Sequence, residues 1–196
     1  MSFITRGFSG RRRERDPRLP PGQTLVGDWP VLSAGPTPRV DDDGWEFAIG
    51  TENGVHRWTR AELEALGVED VTVDIHCVTH WTKLDMPWRG VSLDRLFAEV
   101  DTSHRFAMVH SFGGYTTNIA VDDLLGGKSW IAFEADGAPL TPEHGGPARL
   151  LVPHLYFWKS AKWVQGLITM PADKPGFWEQ NGYHLHGDPW REERYG

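Results

Sequence analysis

The sequence predicts an α+β fold in which a mixed β-sheet core carries short helices. Several short stretches alternate apolar and polar residues at period two, the pattern of strands with one buried face. Short helical patterns lie between these stretches without the regular spacing of strand–helix–strand units, which excludes a doubly wound parallel sheet. At 196 residues the chain is long enough to bury one substantial core.

The regular pattern opens with a hairpin and a short helix. Strands are predicted at 45–49 and 55–58, because the turn between them contains an Asn-Gly step that favours a tight hairpin. Thr59 and Glu62 then have the spacing of a capping box that opens a helix, and Gly67 closes that helix. Local signals therefore predict each of these three elements.

Strands and short helices continue along the rest of the chain. Ser92 is predicted to cap a short helix with Leu93 and Leu96 on its inner face. Residues 121–125 are predicted to form one or two further helical turns. The remaining strands are predicted at 71–77, 105–111, 115–120, 130–134, 148–153 and 163–170.

The chain is predicted to contain one domain preceded by an arm. Residues 1–44 are rich in Pro, Gly and Arg and show no clear period, so we expect an extended N-terminal arm. Residues 45–196 form the domain, which ends in an irregular aromatic tail from Pro171 onwards. The cluster Arg11-Arg-Arg-Glu-Arg15 is predicted to be a solvated part of the arm. The apolar stretch of an export signal does not follow this cluster, so we expect a cytoplasmic protein.

The charge balance narrows the possible partners. A net charge of −7 is the wrong sign for a general binder of nucleic acid or of anionic membranes. The sequence contains no apolar run long enough to span a bilayer, so membrane insertion is not expected. Ten tryptophans suit a wide, flat and partly apolar small molecule, although they equally suit a small core that is short of aliphatic residues.

Cys77, the single cysteine, stands at the end of a predicted strand. Because successive strand residues alternate, the Cys77 thiol shares one face with Val73 and Ile75. Without a second cysteine, an intrachain disulfide is excluded, and so is any zinc site that needs two thiolates. The thiol is therefore placed to meet a metal-bearing cofactor, and the alternative is a buried structural cysteine.

Three segments resemble the molybdopterin-binding domain of the sulfite oxidase family. The first is a Trp-x-Gly segment that begins at Trp88, and the second is a predicted hairpin at 131–140. The third and most specific is His-Gly-Gly-Pro-x-Arg-Leu-Leu-Val-Pro from His144, followed by Trp-Lys-Ser-Ala-Lys-Trp-Val from Trp158. The resemblance covers residues 45–190 and is closer to the small single-domain bacterial branch of the family than to sulfite oxidases proper.

This resemblance implies a mixed α+β fold that holds a molybdenum–molybdopterin cofactor. In this family a cysteine sulfur is a direct ligand of molybdenum, so Cys77 is predicted to be the metal ligand and the catalytic residue. A soft thiolate suits a soft, redox-active metal, which keeps the thiol deprotonated. The residues that match cofactor-contacting positions of the family are Ser111, His144, Arg149, Ser160, Ala161 and Lys162.

The residue types in the third segment suit the terminal phosphate of the pterin. Arg149, Lys159 and Lys162 concentrate positive charge in an acidic chain, as an anionic phosphate requires. The small residues Ser160 and Ala161 would let backbone N–H groups approach that phosphate. The alternative is a basic patch on the surface.

Two departures from the family pattern bear on the substrate. Phe133 stands where sulfite oxidases carry an active-site tyrosine, and the segment Thr79-His-Trp-Thr82 lacks the arginines that follow their cysteine. Because arginines would hold anionic sulfite, we expect oxygen-atom transfer on a small neutral S-oxide, N-oxide or sulfur compound. These 196 residues include no counterpart of the haem domain, so we expect a separate electron-transfer partner protein.

Two other functions are compatible with the same residues. One is a zinc site built from Cys77, His76 and His80, together with His184 or His186. On a strand, however, His76 and Cys77 point to opposite faces. The other is a binding module that keeps the fold without the metal. His80, three residues past the cysteine, is in addition a candidate proton shuttle.

Overall fold

Two mixed β-sheets form the framework of the computed structural model, which describes residues 16–196. The cluster at residues 11–15 lies outside the described residues. The first sheet has the strand order β1-β5-β8-β10, with β4 paired to β5 and β9 paired to β8. Its strands are β1 (Thr24–Leu25), β4 (Glu69–His76), β5 (Trp81–Ser92), β8 (Trp130–Ala135), β9 (Ala138–Pro139) and β10 (Arg149–Leu151).

The second sheet has the order β3-β2-β11-β6-β7. Strands β2 and β11 run parallel, whereas the other neighbours in this sheet are antiparallel. The predicted mixed α+β fold is therefore confirmed, with two sheets in place of one. The strands of this sheet are β2 (Glu46–Thr51), β3 (Gly54–Thr59), β6 (Phe106–Ser111), β7 (Thr116–Ala120) and β11 (Val164–Met170).

The helices are short and connect the strands. None of the helices within residues 16–196 is long and apolar enough to cross a lipid bilayer. Two single turns of 3₁₀ helix, at Pro142–His144 and Phe157–Lys159, flank β10. The α-helices are α1 (Arg60–Ala65), α2 (Leu93–Phe97), α3 (Val121–Leu124) and α4 (Phe177–Gln180).

The first sheet is buried on both faces. Along β8, Ile131 and Phe133 enter an inter-sheet core together with residues of β2, β6 and β11. Trp130 and Ala132 point the other way, into an outer core that also contains Ile75, Cys77 and Trp158. A strand that buries both faces is apolar without alternation, which explains the run of apolar residues in β8.

The local signals of the sequence are confirmed where they depend on neighbouring residues. The hairpin forms as β2 and β3, and Thr59 and Glu62 make the reciprocal hydrogen bonds of a capping box at α1. Ser92 caps α2, whose Leu93 and Leu96 are buried. The tight turn after β8 contains Gly137 in the left-handed region. These signals work because each involves residues within four positions of one another.

The longest strand, β5, has no counterpart in the sequence prediction. Pro87 interrupts its pattern, and a proline in a strand is read as a break because it lacks an N–H group. In the structure the Pro87 carbonyl instead accepts a hydrogen bond from the N–H of Asp136, at 2.9 Å. Asp85 also has a φ of 52°, close to a shift in register between β4 and β5. Because these irregularities interrupt the alternation of apolar and polar residues, the sequence pattern does not predict this strand.

The predicted arm includes one strand of the first sheet. Thr24 and Leu25 form β1, which runs parallel to the beginning of β5. Further along, the Trp29 ring stacks on the imidazole of His144 with centroids 3.8 Å apart. The proposed boundary at residue 44 stays a prediction, but residues 24–29 bring the chain before it to the end of the first sheet.

Gly90 lies in β5 directly against the backbone of β8, and this contact leads to a stability prediction. A Cβ at this position would lie 2.4 Å from the Ile131 carbonyl oxygen and 2.8 Å from the Ala132 Cα. Since both contacts are with backbone, Gly90→Ala is expected to lower the free energy of unfolding by about 1–3 kcal/mol. Urea unfolding would measure this loss. Gly44→Ala is the control, because its Cβ would meet no atom within 4 Å, and equal midpoints for the two variants would contradict the prediction.

Candidate active site

A cavity of about 500 Å³ opens beside the outer core, at the end of the first sheet. Its walls come from five separate parts of the chain: the arm between residues 29 and 38, the segment 77–81, the turn 112–115, the stretch 144–163, and the tail between residues 177 and 183. Most of the lining side chains are aromatic or aliphatic. Six of the seven predicted site residues line it, namely Cys77, His144, Arg149, Ser160, Ala161 and Lys162.

Cys77 is the first residue after β4, and it lines the cavity. The strand's alternation places Ile75 and Cys77 in the outer core, as predicted from the sequence. The thiol is 7% exposed, and its Sγ lies 3.1 Å from the Thr79 hydroxyl oxygen. Burial raises the pKa of the thiol above its usual value, while Thr79 and the charge of Arg194 act against this rise. Without a metal the thiol is therefore held mainly in its protonated form.

Arg149 is a buried cation with no carboxylate partner among the described residues. It is 2% exposed, and its Nη1 and Nη2 donate to the carbonyls of His144 and Ser160, at 2.8 and 2.7 Å. Its Nε has no hydrogen-bond partner in the described part of the chain. The guanidinium also lies over the ring of Phe157, at 4.2 Å. Burial lowers the pKa of Arg149 to about 9, which means that this charge is costly to hold without an anion.

Lys162 adds a second positive charge to the same cavity. Its Nζ donates to the Glu143 carbonyl at 2.7 Å and lies 4.9 Å from the centre of the Trp163 ring. Burial and the nearby Arg149 lower the pKa of Lys162 to about 8. Burial and these two cations likewise lower the pKa of His144. At both Lys162 and His144 the effect of the Arg149 charge exceeds the opposing effect of the Glu143 carboxylate, so this end of the cavity has a positive potential.

The remaining predicted site residues have different surroundings from those expected. The Ser160 hydroxyl oxygen accepts a hydrogen bond from the Val152 N–H, at 2.8 Å. The N–H groups of Ser160 and Ala161 donate to carbonyls of the preceding 3₁₀ turn, so in this structure they do not face an anion. Ser111 is buried just behind the lining residue Phe112, and its hydroxyl has no hydrogen-bond partner in the described chain. The expectation of a backbone phosphate cradle at 160–161 is not supported.

Lys159 does not contribute to the positive end of the cavity, which corrects the sequence-based expectation. It is fully buried, and its Nζ forms an ion pair with Glu179 at 2.7 Å. It donates in addition to the backbone carbonyls of Asn118 and Leu185, both at 2.7 Å. Lys159, at the end of the 3₁₀ turn, does not line the cavity, whereas Lys162 does. Its charge is neutralised, and its role is to attach the tail to β7.

Two residues that the sequence linked to the chemistry lie away from the cavity. Phe133 is part of the inter-sheet core, with the Arg60 guanidinium 3.6 Å from its ring centre. The missing hydroxyl at this position therefore says nothing about the site. His80 is exposed, and its Nδ1 lies 3.0 Å from the Gly22 carbonyl oxygen. It faces the arm and not the cavity, so a role as proton shuttle is not supported.

The residues of the alternative zinc site are not brought together in the described part of the chain. His76 bonds to the Thr82 hydroxyl at 2.9 Å, while the Cys77 thiol lies on the other side of the chain next to Thr79. His186 is engaged by carboxylates of the tail and of α3. Within residues 16–196, no group of three or more His, Cys, Asp or Glu side chains is arranged to hold a metal ion.

Aromatic side chains of the arm and of the tail also line the cavity. Trp29 forms one wall, where it stacks on His144 and lies 5.5 Å from the Arg149 guanidinium. Trp178 and Tyr183, from the tail, stack on each other with centroids 4.9 Å apart and form part of the opposite wall. The aromatic residues of the tail suit either an apolar wall at the mouth of the site or a cap on the core, and the structure places Trp178 and Tyr183 in the wall. From the sequence, Trp29 has no expected role beyond docking the arm.

The arrangement suits an anionic ligand that also carries or binds a soft metal. One end of the cavity has two cations without carboxylate partners, and another wall presents the chain's only thiol. The Trp81 Nε1 and Arg149 Nε are buried donors that remain unused within the described residues. Buried polar groups normally have partners. An anionic, hydrogen-bond-accepting group in the cavity would satisfy both, so the residues present fit a molybdopterin-type cofactor.

Comparison with known families agrees with this geometry. The family model described as "Oxidoreductase molybdopterin binding domain" matches residues 34–178. The uncharacterised oxidoreductase YuiH of Bacillus subtilis is 39% identical over 96% of this chain and 98% of its own length. The range 34–178 includes Cys77, Arg149 and Lys162.

More distant relatives share the fold over part of their length. A putative protein-methionine-sulfoxide reductase subunit, YedZ1 of Azospira oryzae, is 27% identical over 76% of this chain and 58% of its own. The crystal structure of the sulfane dehydrogenase SoxCD from Paracoccus pantotrophus superposes with a TM-score of 0.63 at 19% identity. That match covers 74% of this chain and 42% of the other, and it confirms the fold predicted from the sequence.

A chain of ionisable residues holds the tail against α3. The His186 ring lies between two carboxylates, 3.2 Å from Asp123 and 2.9 Å from Glu193. The hydrogen bond to Asp123, followed by that to Glu193, raises the pKa of His186 to about 9. Although burial acts to raise it, hydrogen bonds from His154 and His186 hold the pKa of the Asp123 carboxyl well below its usual value. The tail that lines the cavity is therefore anchored by a protonated histidine.

This anchor predicts a specific dependence of stability on pH. A histidine with a raised pKa in the folded chain stabilises it fully below the unfolded pKa of about 6.5, and the contribution is lost as pH rises through about 9. Urea unfolding is expected to show a larger loss of stability from about pH 6 to pH 9.5 in the wild type than in His186→Gln. His56→Gln is the control, since its ring lies 3.6 Å from a single carboxylate, Glu99. An unchanged pH dependence in His186→Gln would contradict the anchor.

Proposed function

The chain belongs to the oxidoreductase molybdopterin binding domain family, and from this premise we propose that it transfers an oxygen atom at a molybdenum ion bound by Cys77. It is a molybdenum-dependent oxidoreductase by family. The proposed reaction is the reduction of a small S-oxide or N-oxide, or the oxidation of a small sulfur compound. The lone thiol in the wall of a positively charged cavity supports this assignment.

The observation that carries the proposal is the buried, unneutralised charge of Arg149. A buried cation without a counter-ion loses hydration that backbone carbonyls and aromatic rings replace only in part. An anionic cofactor would supply the missing charge, because its phosphate and sulfur groups are negative. Lys162, at the same end of the cavity, would add a second contact to the same anion.

The residues of the site divide the work of holding the cofactor. Cys77 would be the protein ligand of the metal, while Arg149 and Lys162 would hold the negative groups of the pterin. Trp29 and His144 would shield these cations from water, which strengthens their interaction with an anion. When bound, the cofactor supplies a two-electron centre that can accept or donate an oxygen atom.

The aromatic wall favours a neutral substrate. The rings of Trp178 and Tyr183 face the cavity from the tail, and the part of the lining that the tail supplies has no cation. Burial raises the pKa of Tyr183, so its hydroxyl keeps its proton at neutral pH. This hydroxyl is a hydrogen-bond donor for the oxygen of an S-oxide or N-oxide. An anionic substrate such as sulfite would find no arginine in the segment that follows Cys77.

We also propose that electrons pass to or from a separate protein. Support comes from the relative in Azospira oryzae, which is described as a reductase subunit. Oxygen-atom transfer changes the metal by two electrons, so each turnover requires a source or a sink for them. The partner in this chain's case would be an electron-transfer protein.

Cofactor retention tests the roles of the two cations. Protein made in a host with an intact molybdopterin pathway is expected to contain about one molybdenum per chain, because Cys77 is the one cysteine that can bind the metal. Arg149→Gln and Lys162→Ala should each weaken binding by roughly 1.5–3 kcal/mol, because each removes charge-assisted hydrogen bonds. Metal analysis after dialysis would measure the resulting loss of molybdenum.

Lys128→Ala is a matched control for Lys162→Ala. The Lys128 Nζ also donates to a backbone carbonyl, that of Asp122, but Lys128 is exposed and lies outside the cavity. Its molybdenum content should equal that of the wild type. Full metal loading in both cavity variants would refute the proposed anion site, and a wild type without molybdenum from a competent host would favour the metal-free binding module.

A substrate panel tests the reaction. Molybdenum-loaded protein with an artificial electron donor is expected to reduce small sulfoxides or N-oxides, and to turn over sulfite slowly or not at all. Cys77→Ser should stay folded and lose this activity, since a hydroxyl is a far poorer ligand for a soft metal. Rapid sulfite oxidation by the wild type would overturn the neutral-substrate proposal, and full activity in Cys77→Ser would overturn the role of the thiol.

A further inference from the structure

The loop that carries the thiol is held by two distant parts of the chain. This thiol loop, residues 77–80, turns sharply between β4 and β5, with His80 at a φ of 73°. Its carbonyl groups accept hydrogen bonds from outside the loop. The Gln23 side chain donates to the Cys77 carbonyl at 3.0 Å, and the Thr24 N–H donates to the His80 carbonyl at 2.8 Å.

The third contact comes from the tail. The Nη1 of Arg194 donates to the Val78 carbonyl at 2.6 Å, and its Nη2 donates to the Pro21 carbonyl at 3.3 Å. The guanidinium also lies 4.9 Å from the centre of the Tyr156 ring. Arg194 is 7% exposed and forms no ion pair among the described residues. One side chain therefore joins the thiol loop, the arm and the outer core.

The position of Arg194 is itself well defined. Its backbone carbonyl accepts a hydrogen bond from the His184 N–H, and its neighbour Tyr195 forms a bridge with Tyr183. Tyr183 lines the cavity, so the same turn of the tail supplies a wall residue on one side and Arg194 on the other. Burying an arginine without a carboxylate is unfavourable unless its hydrogen bonds are needed. Its guanidinium donates to one carbonyl of the thiol loop and to one of the arm.

We propose that Arg194 is a positioning residue that holds the thiol loop in the geometry Cys77 needs as a metal ligand, with Gln23 as its counterpart from the arm. This inference rests on the proposed function of Cys77. Arg194 acts from behind the loop, through the Val78 carbonyl, and lines no part of the cavity. Its positive charge also lies next to the segment that carries the thiol, where a metal-bound thiolate would be negative.

The first test needs no metal and measures amide hydrogen exchange in the purified protein. The amides of Cys77 and His80 report on the loop, because they donate to carbonyls of Trp81 and Cys77. In Arg194→Gln they are expected to exchange at least about tenfold faster, the effect of losing one charge-assisted hydrogen bond. Arg194→Lys, which keeps the charge, should recover part of the protection against exchange. If Arg194→Gln fails to fold, Arg194→Lys is compared with the wild type in its place.

Two further variants complete this test. Gln23→Leu should increase exchange in the same loop amides from the arm side. Arg191→Gln is the matched control, since Arg191 lies in the same tail, is mostly exposed and forms an ion pair with Glu193 at 3.5 Å. Faster exchange confined to the tail in Arg194→Gln, with the loop amides unchanged, would overturn the proposal and leave Arg194 as an anchor of the tail.

The second test uses the absorption band in which charge moves from the cysteine sulfur to molybdenum. The energy of this band depends on the geometry of the sulfur ligand, which a merely structural residue would not change. We expect the band to shift in Arg194→Gln and in Gln23→Leu, and to return towards the wild type in Arg194→Lys. An identical band in all loaded variants would refute positioning. A wild type without molybdenum would instead refute the proposed function, while the exchange test would still decide the role of Arg194.

Discussion

The structure depends on a first sheet that is buried on both faces. One face packs on the second sheet, and the other is covered by the outer core, the stretch around β10 and the tail. Because hydrophobic burial is the main favourable term in folding, this second cover must be large and aromatic in a short chain. The cavity lies where the cover meets the end of the sheet. The hydrophobic packing stabilises the fold, and the candidate site is a gap within that packing.

Within that gap, charge decides what can bind. Burial, and after it the charge of Arg149, lowers the pKa of Lys162, and neither side chain forms an ion pair within the described chain. Lys159, in the same basic segment, is by contrast paired with Glu179 inside the protein. The basic segment therefore contains one structural charge, that of Lys159, and two charges that face the cavity, those of Arg149 and Lys162. An anion would balance these charges, and the family to which the chain belongs is described as molybdopterin-binding.

Most of the fold and part of the candidate site could be predicted from the sequence, and the reasons are physical. The hairpin and the capping box at Thr59 depend on residues close in sequence, and the position of Cys77 follows from strand alternation. Strand β5 could not be recognised, because Pro87 and a left-handed Asp85 interrupt its period. The role of Lys159 depends on Glu179, twenty residues away, and only the three-dimensional path of the chain brings them together.

The contacts of the thiol loop have a consequence for the order in which the molecule assembles. Gln23 is 54 residues before Cys77, and Arg194 is 116 residues after Val78. Closing chain segments of this length costs entropy before any contact repays it, and such contacts slow folding. Pairings between neighbours in sequence, such as the β2–β3 hairpin, can form earlier, and the thiol loop acquires its final setting only when the arm and the tail dock.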